Sequence, residues 1–136
     1  MMEDYNIRED IKVMYVTASS FPDGVEAAHQ KLHKMLALNE KRRFFGISRP
    51  EGDGKIVYKA AAEELNLGET ESLGLEVFVI DKGTYLSERV TDFMSDIPSI
   101  GKTFQKLLEQ PDLNPNGYCL EIYVGKDVLC LVGLKK

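Results

Sequence analysis

The chain has no tryptophan and only two cysteines in 136 residues, and acidic residues outnumber basic ones, 22 to 17. No apolar run approaches the roughly 18–20 residues needed to span a bilayer, so a membrane helix is not expected. The formal net charge of −5 argues against a broad phosphate-binding surface and against direct DNA binding. The one basic cluster, Lys41-Arg42-Arg43, lies between a helical and a strand pattern and reads as a solvated helix end or a local phosphate contact. Cys119 and Cys130 both fall in the final strand pair. With no secretory pattern at the N-terminus, they are expected to be free buried thiols in a reducing, cytoplasmic setting. No glycine-rich phosphate loop is present, and Ser87 and Ser99 have no histidine placed to activate them. His29 and His33 have the i, i+4 spacing of a zinc-binding helix. Gln30 replaces the required glutamate and no third ligand is evident, so neither metal nor cofactor is expected.

What remains is an ordinary globular composition, 43% apolar and 29% charged, in a length that suits one domain. Residues 1–10 are polar and read as a loose lead-in. Alternation predicts a strand over Ile11–Thr17, with Val13, Tyr15 and Thr17 on one face and Lys12, Met14 and Val16 on the other. A helix is predicted over Gly24–Leu38, with Asp23 as its N-cap and Val25, Ala28, Leu32, Met35 and Leu36 on its apolar side. Strands follow at Phe44–Ser48 and Lys55–Ala62 around the turn Pro50–Gly54, and then an acidic connector at Glu63–Ser72. Leu73–Ile80 and Thr84–Phe93 read as two strands of a hairpin turning at Asp81-Lys82-Gly83. A second helix begins after Asp96, with Pro98 in its first turn and Ile97, Ile100, Phe104, Leu107 and Leu108 as its stripe. The strand pair Tyr118–Val124 and Val128–Val132, turning at Gly125-Lys126-Asp127, completes the chain.

Strand, helix and hairpin thus occur twice. The fold class is α+β: two β-α-β-β modules forming a largely antiparallel sheet, with two helices on one face and the other face left to line a cleft. In the last hairpin Leu120, Ile122 and Val124 share one face, and Cys119, Glu121 and Tyr123 share the other. A carboxylate in the middle of such a strand is costly unless something binds it. Arg89 or Lys55 could pair with Glu121 across the sheet, or Glu121 could sit on an exposed edge. If Leu120, Ile122 and Val124 pack on the helices, Glu121 faces the cleft.

Three patterns carry a resemblance to a known family. They are Lys82-Gly83-Thr84-Tyr85, the helix Pro98–Leu108, and Leu120-Glu121-Ile122-Tyr123; the hairpin Phe44–Ala60 with Tyr58 adds a fourth. Together they resemble the GyrI-like effector-binding domain, the small-molecule-binding module of many bacterial multidrug-sensing regulators. The likeness runs from about Ile11 to Leu134, without the helix-turn-helix domain that those regulators usually add. The resemblance implies a stand-alone binding module with Glu121 at the base of a pocket between the two halves. Tyr123, Tyr58 and Tyr85 are the aromatics expected beside it. A carboxylate among aromatic rings favours a cationic, aromatic or amphipathic organic ligand. The same residues would serve a hydrolase of reactive xenobiotics, with Glu121 as general base and Tyr123 or Tyr58 as proton donor. A third reading is a protein-interaction module like the stand-alone relatives that bind a topoisomerase. Monomer and dimer fit the sequence equally.

Overall fold

In this computed structural model, residues 2–36 and 41–135 are described. Their order is β1 (Glu3–Ile7), β2 (Ile11–Thr17), α1 (Val25–Met35), β3 (Phe44–Glu51), β4 (Lys55–Glu63), α2 (Glu69–Leu73), β5 (Glu76–Ile80), β6 (Gly83–Val90), a 3-10 turn (Phe93–Ser95), α3 (Pro98–Leu108), β7 (Cys119–Val124) and β8 (Asp127–Gly133). The architecture is α+β with antiparallel strand pairing. The chain divides into an N-terminal unit, residues 10–80, and a C-terminal unit, residues 81–135 with residues 2–9 added.

In the N-terminal unit the strand order is β3-β4-β2-β5, and α1 packs against β2 and β4. Met14, Tyr58, Ala60 and Ala62 supply the helix-facing side of the sheet, and Ala28 and Leu32 of α1 close over them. Alternation along β2 thus sorts its residues as the sequence predicts. The predicted end of α1 at Leu38 lies outside the described residues. Its start is not capped by Asp23: Gly24 is the N-cap and no side chain caps the helix. The turn before it supplies the contacts instead, with Gly24 N–H donating to Ser20 O and Val25 N–H to Pro22 O, each at 3.2 Å. A Cβ on Gly24 would lie 2.8 Å from both the N and the O of Ser20, so only glycine allows this turn.

The connector Glu63–Ser72 carries most of the short helix α2, held by partners both near and far in sequence. Thr70 donates to the Glu64 carboxylate through its backbone N–H and its hydroxyl, and Lys12 Nζ lies 3.0 Å from the same group. Arg42 makes a bidentate pair with Glu69, at 2.9 and 2.7 Å, and also donates to Glu63 O. The basic cluster is therefore anchored in the fold: Arg42 is buried, and Arg43 pairs with Glu63 at 2.7 Å.

In the C-terminal unit the order is β1-β6-β8-β7, and α3 packs on β6 and β8. The expected lead-in contains a strand, because β1 pairs with β6 and Thr84 and Ser87 hydrogen-bond to Asn6 and Glu3. The hairpin expected at Asp81-Lys82-Gly83 is not formed. β5 pairs with β2, while β6 lies between β1 and β8. Each unit is thus a β-α-β-β module whose extra strand precedes the other module in sequence. Asp96 does not cap α3 with its side chain; its main-chain O instead accepts from Ser99 N and Ser99 Oγ, at 3.0 and 2.6 Å. Leu107 is fully buried, whereas Ile97 and Leu108 are more than half exposed, so the apolar stripe of α3 is narrower than its spacing suggests. A two-residue turn at Gly125-Lys126 joins β7 to β8, with Gly125 at φ 60, a conformation glycine takes without strain.

Candidate functional site

Register decides which face Glu121 occupies. Glu121 lies opposite Cys130 of β8, which lies opposite Glu88 of β6, and residues directly opposite in antiparallel strands share a face. Cys119 and Tyr123 flank Glu121 on β7, facing Val132 and Val128. These side chains pack with Leu107, Phe104 and Ile100 of α3. Glu121 is therefore on the face that α3 covers. Leu120 and Ile122 are buried on the opposite face, so the condition that would have turned Glu121 away from the helix is not met.

Only 9% of Glu121 is exposed, and the Tyr123 hydroxyl donates to its Oε1 at 2.5 Å. The two residues are i and i+2 on one strand, the spacing that puts them side by side. Phe93 packs on the Tyr123 ring with centroids 5.5 Å apart. Two strands away, Glu88 is held by Lys106 of α3 at 2.7 Å, and that ammonium lowers its carboxyl pKa. The two thiols on this face are poor nucleophiles: burial first, and the Glu121 carboxylate second, push Cys119 up to about 11 and move Cys130 in the same direction. Neither Arg89 nor Lys55 is placed on Glu121 by a short contact. Arg89 pairs with Asp127 at 2.7 Å, and Lys55 Nζ is 3.9 Å from Asp53.

The other two aromatics take different positions. Tyr85 lies opposite Gly133 and two residues along from Ser87, on the sheet face away from Glu121. Its hydroxyl donates to Asp81 O at 2.6 Å and lies 3.1 Å from the Tyr118 hydroxyl, which accepts from Asp81 N–H at 3.0 Å. Tyr85 thus anchors the segment joining β5 to β6. Tyr58 belongs to the N-terminal unit, on the face that α1 covers, and is 2% exposed. Phe21 stacks on its ring at 5.9 Å, and His29 Nε2 lies 2.8 Å from its hydroxyl. Sequence spacing pointed to neither Glu88 nor Phe93 as a neighbour of this site. Only cross-strand register and the turn before α3 bring them there.

His29 and His33 each have an aromatic partner, Tyr58 for the first and Phe44, with centroids 4.2 Å apart, for the second. Burial and the nearby His33 lower the His29 pKa from 6.5 to about 4. The unfolded chain therefore binds a proton at higher pH than the folded one. Stability is expected to fall as pH drops from about 6.5 to about 4, by about 2 kcal/mol after allowing for partial exposure of the ring. Glu64, lowered to about 2 by its hydrogen bonds to Thr70 and Lys12, loses its stabilising contribution in a separate window, as pH falls from about 4.5 to about 2. Urea denaturation of wild type and His29→Gln at pH 7, 5.5 and 4.5 tests this. A steep wild-type loss that is flattened in the variant is expected; parallel slopes would contradict it.

No family model and no curated protein matches the sequence. Solved structures share the fold. An integron cassette protein from the mobile metagenome of Vibrio cholerae superimposes with a TM-score of 0.74 at 13% identity, covering 98% of this chain and 95% of the other. The protein SAV2435, in a structure with bound tetraphenylphosphonium, gives 0.66 at 9% identity over 99% and 94%. A protein from Staphylococcus aureus MU50 gives 0.56 at 10% identity over 100% and 97%. At these identities the likeness is one of fold. No helix among the described residues is long and apolar enough to cross a membrane.

Proposed function

We propose that this chain is a GyrI-like small-molecule-binding module that captures aromatic or amphipathic organic cations at Glu121. The observation that carries the reading is a carboxylate 9% exposed, on a face packed with apolar and aromatic side chains, bonded to the phenol of Tyr123. A delocalised cation loses less hydration on entering such surroundings than a compact ammonium does. It gains the carboxylate's charge together with the faces of Tyr123 and Phe93. The bound tetraphenylphosphonium of SAV2435 is a ligand of this chemical class on the same fold. In this proposal Tyr85 acts on the site only through the segment that it anchors.

The test is calorimetric titration with tetraphenylphosphonium. Wild type is expected to saturate, Glu121→Gln to bind at least about tenfold more weakly, and Tyr123→Phe to lie between them. No heat at millimolar ligand, or equal affinity for wild type and Glu121→Gln, would sink the proposal.

The pairing of a carboxylate with a phenol hydroxyl at Glu121 and Tyr123 also favours a second reading, hydrolysis of a reactive organic substrate. Glu121 would take a proton from water while the Tyr123 hydroxyl gives one to the leaving group. Product formed by wild type but not by Glu121→Gln would establish it; binding without turnover leaves the capture reading. If neither is seen, the protein-interaction reading is the one to pursue.

A further inference from the structure

We propose that the chain self-associates weakly through β5, two copies joining their β5 edges antiparallel about a two-fold axis at Phe78. β5 pairs with β2 along one side and is the outermost strand on that side of the sheet order. An outermost strand directs half of its backbone N–H and C=O groups outward, where another extended strand can take them up. Val77 and Val79 are 44% and 43% exposed on this strand, and residues 77–80 carry no charge. The outermost strand of the other unit, β1, contrasts with it. It carries Glu3 and Asp4, the charged kind of edge that resists pairing.

The sequence of β5 selects a second copy over other strands. Glu-Val-Phe-Val-Ile reads almost the same in both directions about Phe78. Two-fold antiparallel pairing would set Val77 opposite the partner's Val79, and Val79 opposite the partner's Val77. Branched residues directly opposite one another are favourable cross-strand pairs. Glu76 would face the partner's Ile80, so the two glutamates, each already accepting from a Tyr15 hydroxyl at 2.6 Å, fall at opposite ends of the joint. No like charges meet along it. Five residues of edge pairing bury less than the roughly 1,000 Å² of a stable interface, so the dissociation constant should lie at about 10–1,000 µM.

Sedimentation velocity on the whole chain from about 10 µM to 1 mM tests this, with wild type expected to shift from monomer to dimer. Two double variants probe the register. Val77→Lys with Val79→Lys would set lysine against lysine and raise the dissociation constant at least about tenfold. Val77→Lys with Val79→Glu would set lysine against glutamate and retain the dimer. Both change the same half-exposed positions, and matching circular dichroism and melting curves would show that both fold. A wild type that stays monomeric at 1 mM overturns the proposal, and so does equal association of the two double variants.

Discussion

Replacing Arg42 with methionine is expected to lower the unfolding free energy by about 3 kcal/mol. The Arg42 side chain is 3% exposed, and its guanidinium joins Glu69 of α2 in a bidentate pair while also donating to the carbonyl of Glu63. Removing the cation leaves a carboxylate that must recover water at a side chain 16% exposed, and a carbonyl with one donor fewer. Partial exposure of Glu69 places the expected cost at the lower end of the range for broken buried pairs. The shifts agree in sign, since the pairing raises the Arg42 pKa and lowers that of Glu69. Removing both charges, as Arg42→Met with Glu69→Leu, should cost less than removing Arg42 alone, because no ion is then left desolvated. Urea denaturation of the three proteins at pH 7 measures both differences. A single-variant loss below about 1 kcal/mol would mean that the pair behaves like an exposed one.

Leu107→Ala is expected to cost about 3–5 kcal/mol and to weaken tetraphenylphosphonium binding as well. Leu107 is fully buried where α3 meets Val128, Cys130 and Val132, so truncation leaves a void that the surrounding strands cannot fully close. Val128 and Cys130 are the cross-strand neighbours of Tyr123 and Glu121, so the void opens on the face that carries the proposed site. Leu108→Ala is the control: one residue along the same helix but 54% exposed, it should change stability by less than about 0.5 kcal/mol. Equal losses for the two would contradict the packing of α3, and an unchanged affinity in Leu107→Ala would separate this face from ligand binding.

How much of this was legible in the sequence depended on whether the signal was local. Alternation in Ile11–Thr17 and in the last hairpin marks strands because residues two apart share a face whatever the surroundings. The stripe Val25, Ala28 and Leu32 marks a helix for the corresponding reason at period 3.6. Pairing partners carried no such signal. Asp81-Lys82-Gly83 has hairpin composition, yet Tyr118 takes its Asp81 N–H and Tyr85 binds its Asp81 carbonyl, while β2 and β8 take the strands on either side. β1 has a polar sequence and becomes a strand because β6 offers it an edge with hydroxyls that meet Asn6 and Glu3.

The site divides in the same way. The sequence by itself determined that Glu121 and Tyr123 are neighbours on one face of a strand, and that a carboxylate there calls for a partner. Which face that is was decided by the tertiary structure. Two opposite faces of β7 are both apolar enough to be buried, and only the packing of α3 on Val128, Cys130 and Val132 chooses between them. That choice put Glu121 and Tyr123 together under the helix, with Phe93 on the Tyr123 ring, and left Tyr85 on the other side. Strand parity is a property of adjacent residues, whereas the covering of a face is a property of elements far apart in the chain.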